Sequence, residues 1–383
     1  MGSEILLYGY GLVCLSMLVF NIIYNITLKG SDMRMEKRVQ HYEAQALIQV
    51  QRVRRKEPME KRYFTWLRYR LFRVKNLIAF DRVMDQIDDD GDEAERQYWE
   101  RILDVLLKLA RTYQRRDNLQ AAYFAYFVCR YEKKNPVPPE KNGELQEFMV
   151  ECMKKKSFYC QLNALQALYA FGDVEYVMEA VRIQDTVQTF YNEKILTEGL
   201  LSFSGDHDEL IHRLWDNFDY YSERTKLSVL NYIRFQTGDY CNEMFGIMTS
   251  ESVDKELRFS AIRYFGKYPY EPARQVLIGF VSDTDQTKWE YAAISATSLA
   301  GYHGNDVIRC LTEAMKSPNW YVRYNASVSL EAQHLDYSDL IDVVDGDDRY
   351  AREMVMYRLE SRRIREAEEK DREKEKEKEA TEE

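Results

Sequence analysis

The sequence contains little proline and glycine, with 7 and 16 among 383 residues, respectively. Both residue types interrupt regular secondary structure, so their scarcity favours long, uninterrupted elements. No strand-like alternation of apolar and polar residues occurs, whereas apolar residues recur at helical spacing over most of the chain. One such segment contains Ile102, Leu106 and Leu109 on a single face. The sequence therefore predicts an all-α protein.

Cysteines are few and widely spaced, and the sequence contains no CxxC pair. Of the six cysteines, one, Cys14, lies in an apolar N-terminal run. A disulfide framework requires a denser and more regular pattern, and free thiols of this kind are typical of a reducing cytoplasm. We interpret the remaining five as small apolar side chains inside helices.

Motifs of the common catalytic classes are missing as well. The sequence has no Gly-x-Ser-x-Gly, no P-loop and no Gly-x-Gly-x-x-Gly. The densest group of metal-ligating residue types is Asp206, His207, Asp208 and His212, at a turn where acidic side chains are expected as helix caps. We predict no catalytic residues, no cofactor and no bound metal. The alternative is an enzyme that holds a metal or cofactor on its helices.

One long uncharged run differs from the rest of the chain. Residues 5–28 contain no charged side chain, and a helix of this length spans the roughly 30 Å hydrocarbon core of a bilayer. A cleavable signal peptide would have a basic start, a shorter apolar core and a small-x-small cleavage site. Residues 1–4 and the run lack these features. The sequence therefore predicts an uncleaved transmembrane helix.

Positive charge follows this run at once. Residues 29–75 contain fourteen Lys and Arg against five Asp and Glu, although the whole chain has a net charge of −10. Because basic residues remain on the cytoplasmic side of a membrane, we expect residues 1–4 outside and the rest of the chain in the cytoplasm. We expect the protein in the plasma (inner) membrane of a bacterium.

The basic neck, residues 29–90, also contains many aromatic residues. Aromatic rings favour the membrane interface, and nearby cations attract anionic lipid. We consider two arrangements for residues 60–78, which either lie against lipid headgroups or form an amphipathic helix that packs on the protein. In the first arrangement, the lipid-facing residues are Arg62, Trp66, Arg68, Arg70 and Arg73.

Small and polar residues form one stripe of the predicted membrane helix. Their spacings of three and four residues place them on one face, and they are Gly11, Cys14, Leu18, Asn21 and Asn25. Small residues let a second helix approach closely, and an Asn in lipid gains from a hydrogen-bond partner. We hypothesise that the stripe packs against an integral-membrane protein or a second copy of the chain. The alternative is that both asparagines are hydrated at the inner interface.

The dipeptide Gly-Asp recurs at intervals of 33 residues, at Gly172, Gly205 and Gly238. Each copy follows one apolar helical run and precedes another. This position predicts a left-handed glycine at the end of the first helix and an aspartate that caps the second. Helix pairs that repeat with a period near 33 residues are typical of a helical solenoid.

The C-terminal units carry a recognisable pattern. Residues 317–326 contain a turn, then Val322 and Arg323, and then Ala326; residues 256–261 match the same frame. Residues 289–293 match it with Glu290 in place of the usual arginine. This pattern resembles short HEAT repeats of the phycobilin-lyase type, over residues 144–360. The resemblance implies a solenoid of helical hairpins, and it does not imply lyase activity, because a repeat type does not determine chemistry.

The remaining segments complete the predicted organisation. Residues 91–143 resemble a degenerate helical pair of the tetratricopeptide kind. Residues 361–383 are rich in Glu and Lys and nearly free of apolar residues, which predicts a frayed or disordered, solvated tail.

Aromatic residues are frequent in the predicted solenoid, and Tyr and Trp are favoured contact residues in protein interfaces. We predict a protein-binding surface formed by Trp320, Tyr321, Tyr324, Trp289 and Tyr264. Packing between helices is the alternative for each of them.

Together with the anchor, these features predict a non-catalytic scaffold for a protein partner, such as a membrane-bound glycosyltransferase that makes a polysaccharide. Binding of lipid or nucleic acid through the basic neck is an alternative. We expect no nucleic acid, because the region beyond the neck is acidic.

Overall fold

The structure is a computed structural model that describes residues 2–87, 93–187 and 192–382. Only the backbone is described for residues 2–7, 25–28, 187, 371 and 373–382. In this part of the chain the regular structure is entirely helical, with nineteen α-helices, three short 3₁₀ segments and no strand. The prediction of an all-α protein is confirmed.

The α-helices are α1 (Gly2–Arg54), α2 (Lys61–Leu71), α3 (Val74–Val83), α4 (Glu93–Gln114), α5 (Asn118–Lys134), α6 (Pro139–Met153), α7 (Phe158–Phe171), α8 (Val174–Val187), α9 (Glu193–Leu201), α10 (His207–Asp216), α11 (Glu223–Gln236), α12 (Cys241–Thr249), α13 (Lys255–Lys267), α14 (Glu271–Val281), α15 (Trp289–Ser298), α16 (Asn305–Ala314), α17 (Trp320–Ala332), α18 (Ile341–Val344) and α19 (Arg349–Glu382).

The described chain forms two compact units. The N-terminal unit comprises residues up to 190 together with 202–210, and the C-terminal unit comprises residues 191–201 and those after 210. The segment 144–360, which the sequence predicts as a single array, is therefore divided between the two units.

Helix α1 extends without interruption from the uncharged run to Arg54. It is long and apolar enough to cross a membrane, and its most apolar window is not buried in the protein. Its last third belongs to the core of the N-terminal unit, where Val39, Tyr42, Ala46 and Val50 are all buried. These positions follow the spacing of one helical face. The apolar run and the first core helix are thus one continuous element.

Helix α3 packs beside α1 in the N-terminal unit, and α2 packs against α3 and α4. Tyr63, Leu67 and Leu71 form the buried face of α2, so this face contacts protein. Asp81 of α3 accepts a hydrogen bond from the Tyr123 hydroxyl (2.8 Å) and pairs with Arg130 (2.6 Å) on α5. Burial raises the pKa of the Asp81 carboxyl, and the Tyr123 and Arg130 contacts oppose that shift.

The C-terminal unit has a regular order of helix contacts. Helices α9, α11, α13, α15, α17 and α19 contact one another in this sequence. Buried hydroxyls join successive helices: Ser298 Oγ donates to Ile262 O (2.9 Å) and Ser329 Oγ donates to Ala296 O (2.7 Å). Because serine is small, helices joined in this way pack closely.

The repeated Gly-Asp dipeptides behave only partly as predicted. Gly172 ends α7 in the left-handed conformation, with φ of 72°. Asp173 and Asp206 each accept backbone N–H groups at the start of the following helix. The prediction of left-handed caps is wrong for Gly205 and Gly238, whose φ values are not in that region.

Close approach explains glycine at these two positions. A Cβ on Gly205 would lie 2.2 Å from Gly172 O, and a Cβ on Gly238 would lie 2.7 Å from the ring of Tyr268. The first contact is between backbones of neighbouring helix pairs, so little relaxation is available.

The expectation of an irregular tail is also wrong for its described part. Residues 361–382 continue helix α19. Ion pairs at i,i+4 lie along this helix, between Arg362 and Glu366 (3.6 Å) and between Arg372 and Glu368 (3.7 Å). Such pairs support a helix that has no apolar face to bury.

We predict that Gly205→Ala destabilises the protein by about 1–3 kcal/mol, because the added methyl group meets a backbone carbonyl. Gly143→Ala is the matched control in the same unit. It lies inside α6, its Cβ would meet only Tyr176 Oη at 4.0 Å, and alanine favours a helix by roughly 0.5–1 kcal/mol. Thermal unfolding followed by circular dichroism should show a lower melting temperature for Gly205→Ala and no decrease for Gly143→Ala. Equal melting temperatures would contradict the close approach.

Candidate protein-binding groove

The first turn of α17 exposes a pair of aromatic rings. Asn319 caps this helix, since its Oδ1 accepts a hydrogen bond from Tyr321 N (2.9 Å). Trp320 and Tyr324 follow at i and i+4, and their rings stack with centroids 4.9 Å apart. Trp320 is 52% exposed and Tyr324 is 38% exposed. The helix start therefore presents a large apolar surface to solvent.

Helix α19 supplies the second wall of a groove. Tyr350, Met354 and Tyr357 lie on one face of α19 at i, i+4 and i+7, opposite Trp320 and Tyr324. The groove between the two helices has a volume of about 370 Å³. Tyr350 and Tyr357 are 69% and 68% exposed, respectively. The groove thus combines several aromatic rings that the protein itself does not cover.

Two arginines and one carboxylate, Glu353, border the groove, and Glu353 pairs with Arg349 (2.7 Å). The guanidinium of Arg358 lies 4.9 Å from the ring centroid of Tyr324, and that of Arg323 lies 5.5 Å from the ring of Tyr350. Arg358 also pairs with Glu331 (3.3 Å), whereas no described carboxylate forms an ion pair with Arg323. Aromatic rings beside an available cation favour a ligand that has both apolar and acidic groups.

The other aromatic residues of the predicted surface have different positions. Tyr321 is 56% exposed and stacks on Trp289 of α15, with centroids 5.5 Å apart; both lie next to the groove. Tyr264 is fully buried, and its hydroxyl accepts a hydrogen bond from Tyr240 N (3.0 Å) at the start of α12. Burial raises the pKa of Tyr264. We therefore assign Tyr264 to the core and exclude it from the groove.

Sequence reasoning missed the α19 half of the groove. Tyr350, Met354 and Tyr357 have a helical spacing that is visible in the sequence. However, their position opposite Trp320 depends on the packing of α17 against α19, which no local pattern indicates.

The predicted membrane stripe lies on α1. Gly11, Cys14, Leu18 and Asn21 are exposed along this helix, whereas the side chain of Asn25 lies outside the described residues.

The neck residues predicted to face lipid are not all equivalent. Arg62, Arg70 and Arg73 are exposed, and Arg68 is half-buried. Trp66 packs against α1, with its ring centroid 5.7 Å from those of His41 and Tyr42. The five residues therefore do not form one continuous face toward a membrane.

The cluster around Asp206 has other partners. Asp206 caps α10 by accepting from Asp208 N (2.9 Å), and His212 Nδ1 lies 3.1 Å from the Tyr240 hydroxyl. Among the residues that the structure describes, no group of three or more His, Cys, Asp or Glu side chains is arranged to hold a metal ion.

Comparison with known proteins identifies no relative: no protein-family model matches the chain, and no curated protein matches it either.

We predict that Trp320→Ala changes the free energy of unfolding by less than about 0.5 kcal/mol, as is usual at exposed positions. Tyr264→Phe, in the same unit, removes the acceptor of the Tyr240 N–H and should cost about 1–3 kcal/mol. Chemical denaturation of the two variants measures both effects. A larger loss for Trp320→Ala than for Tyr264→Phe would mean that Trp320 serves the fold rather than a ligand.

Proposed function

We propose that this protein is a non-catalytic scaffold, anchored in a membrane by α1, whose cytosolic helices bind a protein partner in the groove between α17 and α19. The observation that carries the proposal is the groove itself, where four exposed aromatic side chains surround one space. Tyr and Trp are the residues most enriched at binding hot spots.

We further propose that the helices form a HEAT-like solenoid over residues 144–360. Two observations support this arrangement. The odd-numbered helices of the C-terminal unit contact one another in sequence. Hydrogen bonds also join residues about one repeat apart, as from Ser298 to Ile262 and from Ser329 to Ala296. Solenoids of this kind use extended surfaces for binding.

The proposed partner presents a segment with apolar side chains and at least one carboxylate. The apolar groups would enter between Trp320 and Tyr357, and the carboxylate would pair with Arg323. Because the proposed anchor α1 would hold the protein at a membrane, we propose that the partner is itself a membrane protein. The stripe of Gly11, Cys14, Leu18, Asn21 and Asn25 is then a second contact, inside the bilayer.

The orientation of the protein in the plasma membrane provides the first test. The basic excess after the uncharged run supports a cytoplasmic C-terminus. We expect a reporter that is active only outside the cytoplasm to be silent when it is fused after Glu383. The same reporter fused before residue 5 should be active. Activity only at the C-terminus would reverse the orientation and exclude a cytosolic partner.

The groove is tested by affinity capture from detergent-solubilised membranes. We expect Trp320→Ala to reduce recovery of the partner at least tenfold, because loss of a hot-spot aromatic costs on the order of 2 kcal/mol. Tyr220→Ala is the matched control, since Tyr220 is 86% exposed in the same unit but distant in sequence from the groove. Equal recovery of the partner with the unsubstituted protein, Trp320→Ala and Tyr220→Ala would contradict binding in the groove.

The membrane stripe is separated from the groove in the same capture. Asn21→Leu combined with Asn25→Leu should leave the groove intact. If this variant loses the partner while Trp320→Ala retains it, recognition lies in the bilayer and the groove proposal is wrong.

A further inference from the structure

Three connections of the N-terminal unit meet at one end: the α2–α3 turn, the α4–α5 loop and the α6–α7 loop. The guanidinium of Arg116 lies 3.9 Å from the ring centroid of Phe72. Lys155 Nζ donates to Gln114 O (3.2 Å) and to Arg116 O (3.3 Å). These contacts join the three connections into one surface. We define the loop face as residues 69–76, 114–119 and 154–159.

The loop face is strongly basic. It contains eight cationic side chains, namely Arg70, Arg73, Lys75, Arg115, Arg116, Lys154, Lys155 and Lys156. Its one carboxylate, Asp117, caps α5 by accepting a hydrogen bond from Gln120 N (2.9 Å). Lys154 pairs with Glu151 (2.6 Å), which lies just outside the face. This concentration of positive charge occurs in a chain whose net charge is −10.

Large apolar side chains are exposed among these cations. Tyr69 is 69%, Phe72 44%, Leu119 75% and Tyr159 66% exposed. Each of the three connections contributes at least one of them. A surface that combines basic residues with exposed aromatic and aliphatic side chains is typical of proteins that lie at the headgroup layer of a membrane.

The loop face lies at the end of the unit that is nearer to the apolar run, residues 5–28. Helix α2 is antiparallel to α1, since Glu60 N donates to Gln49 Oε1 (2.9 Å), whereas Trp66 contacts Tyr42. Phe72 follows Trp66 toward the end of α2, so it lies near the level of residues 35–38 of α1.

The remaining distance is short. Residue 28 ends the apolar run about seven to ten residues before that level, and at 1.5 Å per residue this is about 10–15 Å. Headgroups occupy roughly 5–8 Å of it on each side of a bilayer. The loop face is then about one Debye length, roughly 8 Å, from the charged surface, and a modest tilt of α1 brings it closer.

We propose that the loop face docks on anionic lipid headgroups of the membrane that contains α1. The proposal rests on the membrane anchoring of the proposed function. It differs from a helix lying flat on lipid, because the apolar face of α2 is buried in the protein. Docking at a second point would fix the tilt and rotation of the N-terminal unit relative to the bilayer.

Hydrogen exchange of the full chain in lipid nanodiscs tests the proposal. The nanodiscs contain either phosphatidylcholine alone or phosphatidylcholine mixed with phosphatidylglycerol. We expect amides of the loop face to exchange at least tenfold more slowly in the anionic nanodiscs at low salt, and we expect high salt to abolish this difference. Equal exchange in the two lipids would overturn the proposal.

Two triple variants make the test specific. Arg73→Gln, Arg115→Gln and Lys156→Gln remove one exposed cation from each connection, and the combined variant should lose the lipid-dependent protection. Arg55→Gln, Lys61→Gln and Arg62→Gln remove three exposed cations from the opposite end of α2 and should retain it. Loss of protection in both variants, or in neither, would contradict docking through the loop face.

Hydrogen exchange of the apolar run distinguishes lipid docking by the loop face from membrane anchoring by α1. If residues 8–24 are protected in both nanodiscs while the loop face shows no lipid effect, the anchor stands and docking is wrong. If the run exchanges freely in both, the anchoring itself is wrong. Protection of the loop face by added RNA, with none by anionic lipid, would assign the surface to nucleic acid and overturn lipid docking.

Discussion

The continuity of α1 is the constraint on which the arrangement of the N-terminal unit depends. The ring of Tyr42 contacts Trp66 of α2 and Phe80 of α3, with centroids 5.7 and 6.1 Å apart. These aromatic contacts attach α1, which contains the apolar run, to the core of the unit. An unbroken helix transmits rotation and tilt, because bending it sharply would require a proline, a glycine pair or an inserted side chain. The orientation of the apolar run therefore determines the orientation of the helices that pack on α1.

Close packing has a comparable role in the C-terminal unit. Ser298 and Ser329 each donate to a carbonyl of an earlier helix, so their buried hydroxyls are satisfied within the protein. Gly266 illustrates how little space remains, since a Cβ at this position would lie 3.0 Å from Ser298 Cα. A larger apolar side chain at either serine would separate two helices and also remove the hydrogen bond that joins them. The distance between successive helices is thus fixed by small residues at the points of contact.

The features that the sequence predicts correctly are those encoded by neighbouring residues. Helical periodicity and the length of the uncharged run predict the all-helical fold and α1, and the spacing of Gly172 predicts a left-handed helix end. The errors have long-range causes. Gly205 is required by the backbone of Gly172 rather than by its own φ. Tyr264 and Trp320 are both aromatic residues on helices, yet one is fully buried and the other is 52% exposed, because only the packing of each helix determines which face is covered. The α19 half of the groove, and the parts of the loop face formed by the α4–α5 and α6–α7 loops, were not predicted for the same reason.

The last helix gives a physical argument for an occupant of the groove. Charged residues predominate in helix α19 only after residue 364. Before that point it exposes Tyr350 and Tyr357, which are 69% and 68% accessible, respectively. Each buried square ångström of apolar surface is worth about 25 cal/mol, so covering these rings is favourable by several kcal/mol before the cost of association. The polar half of α19 needs no cover, which limits the proposed contact to the segment that lines the groove.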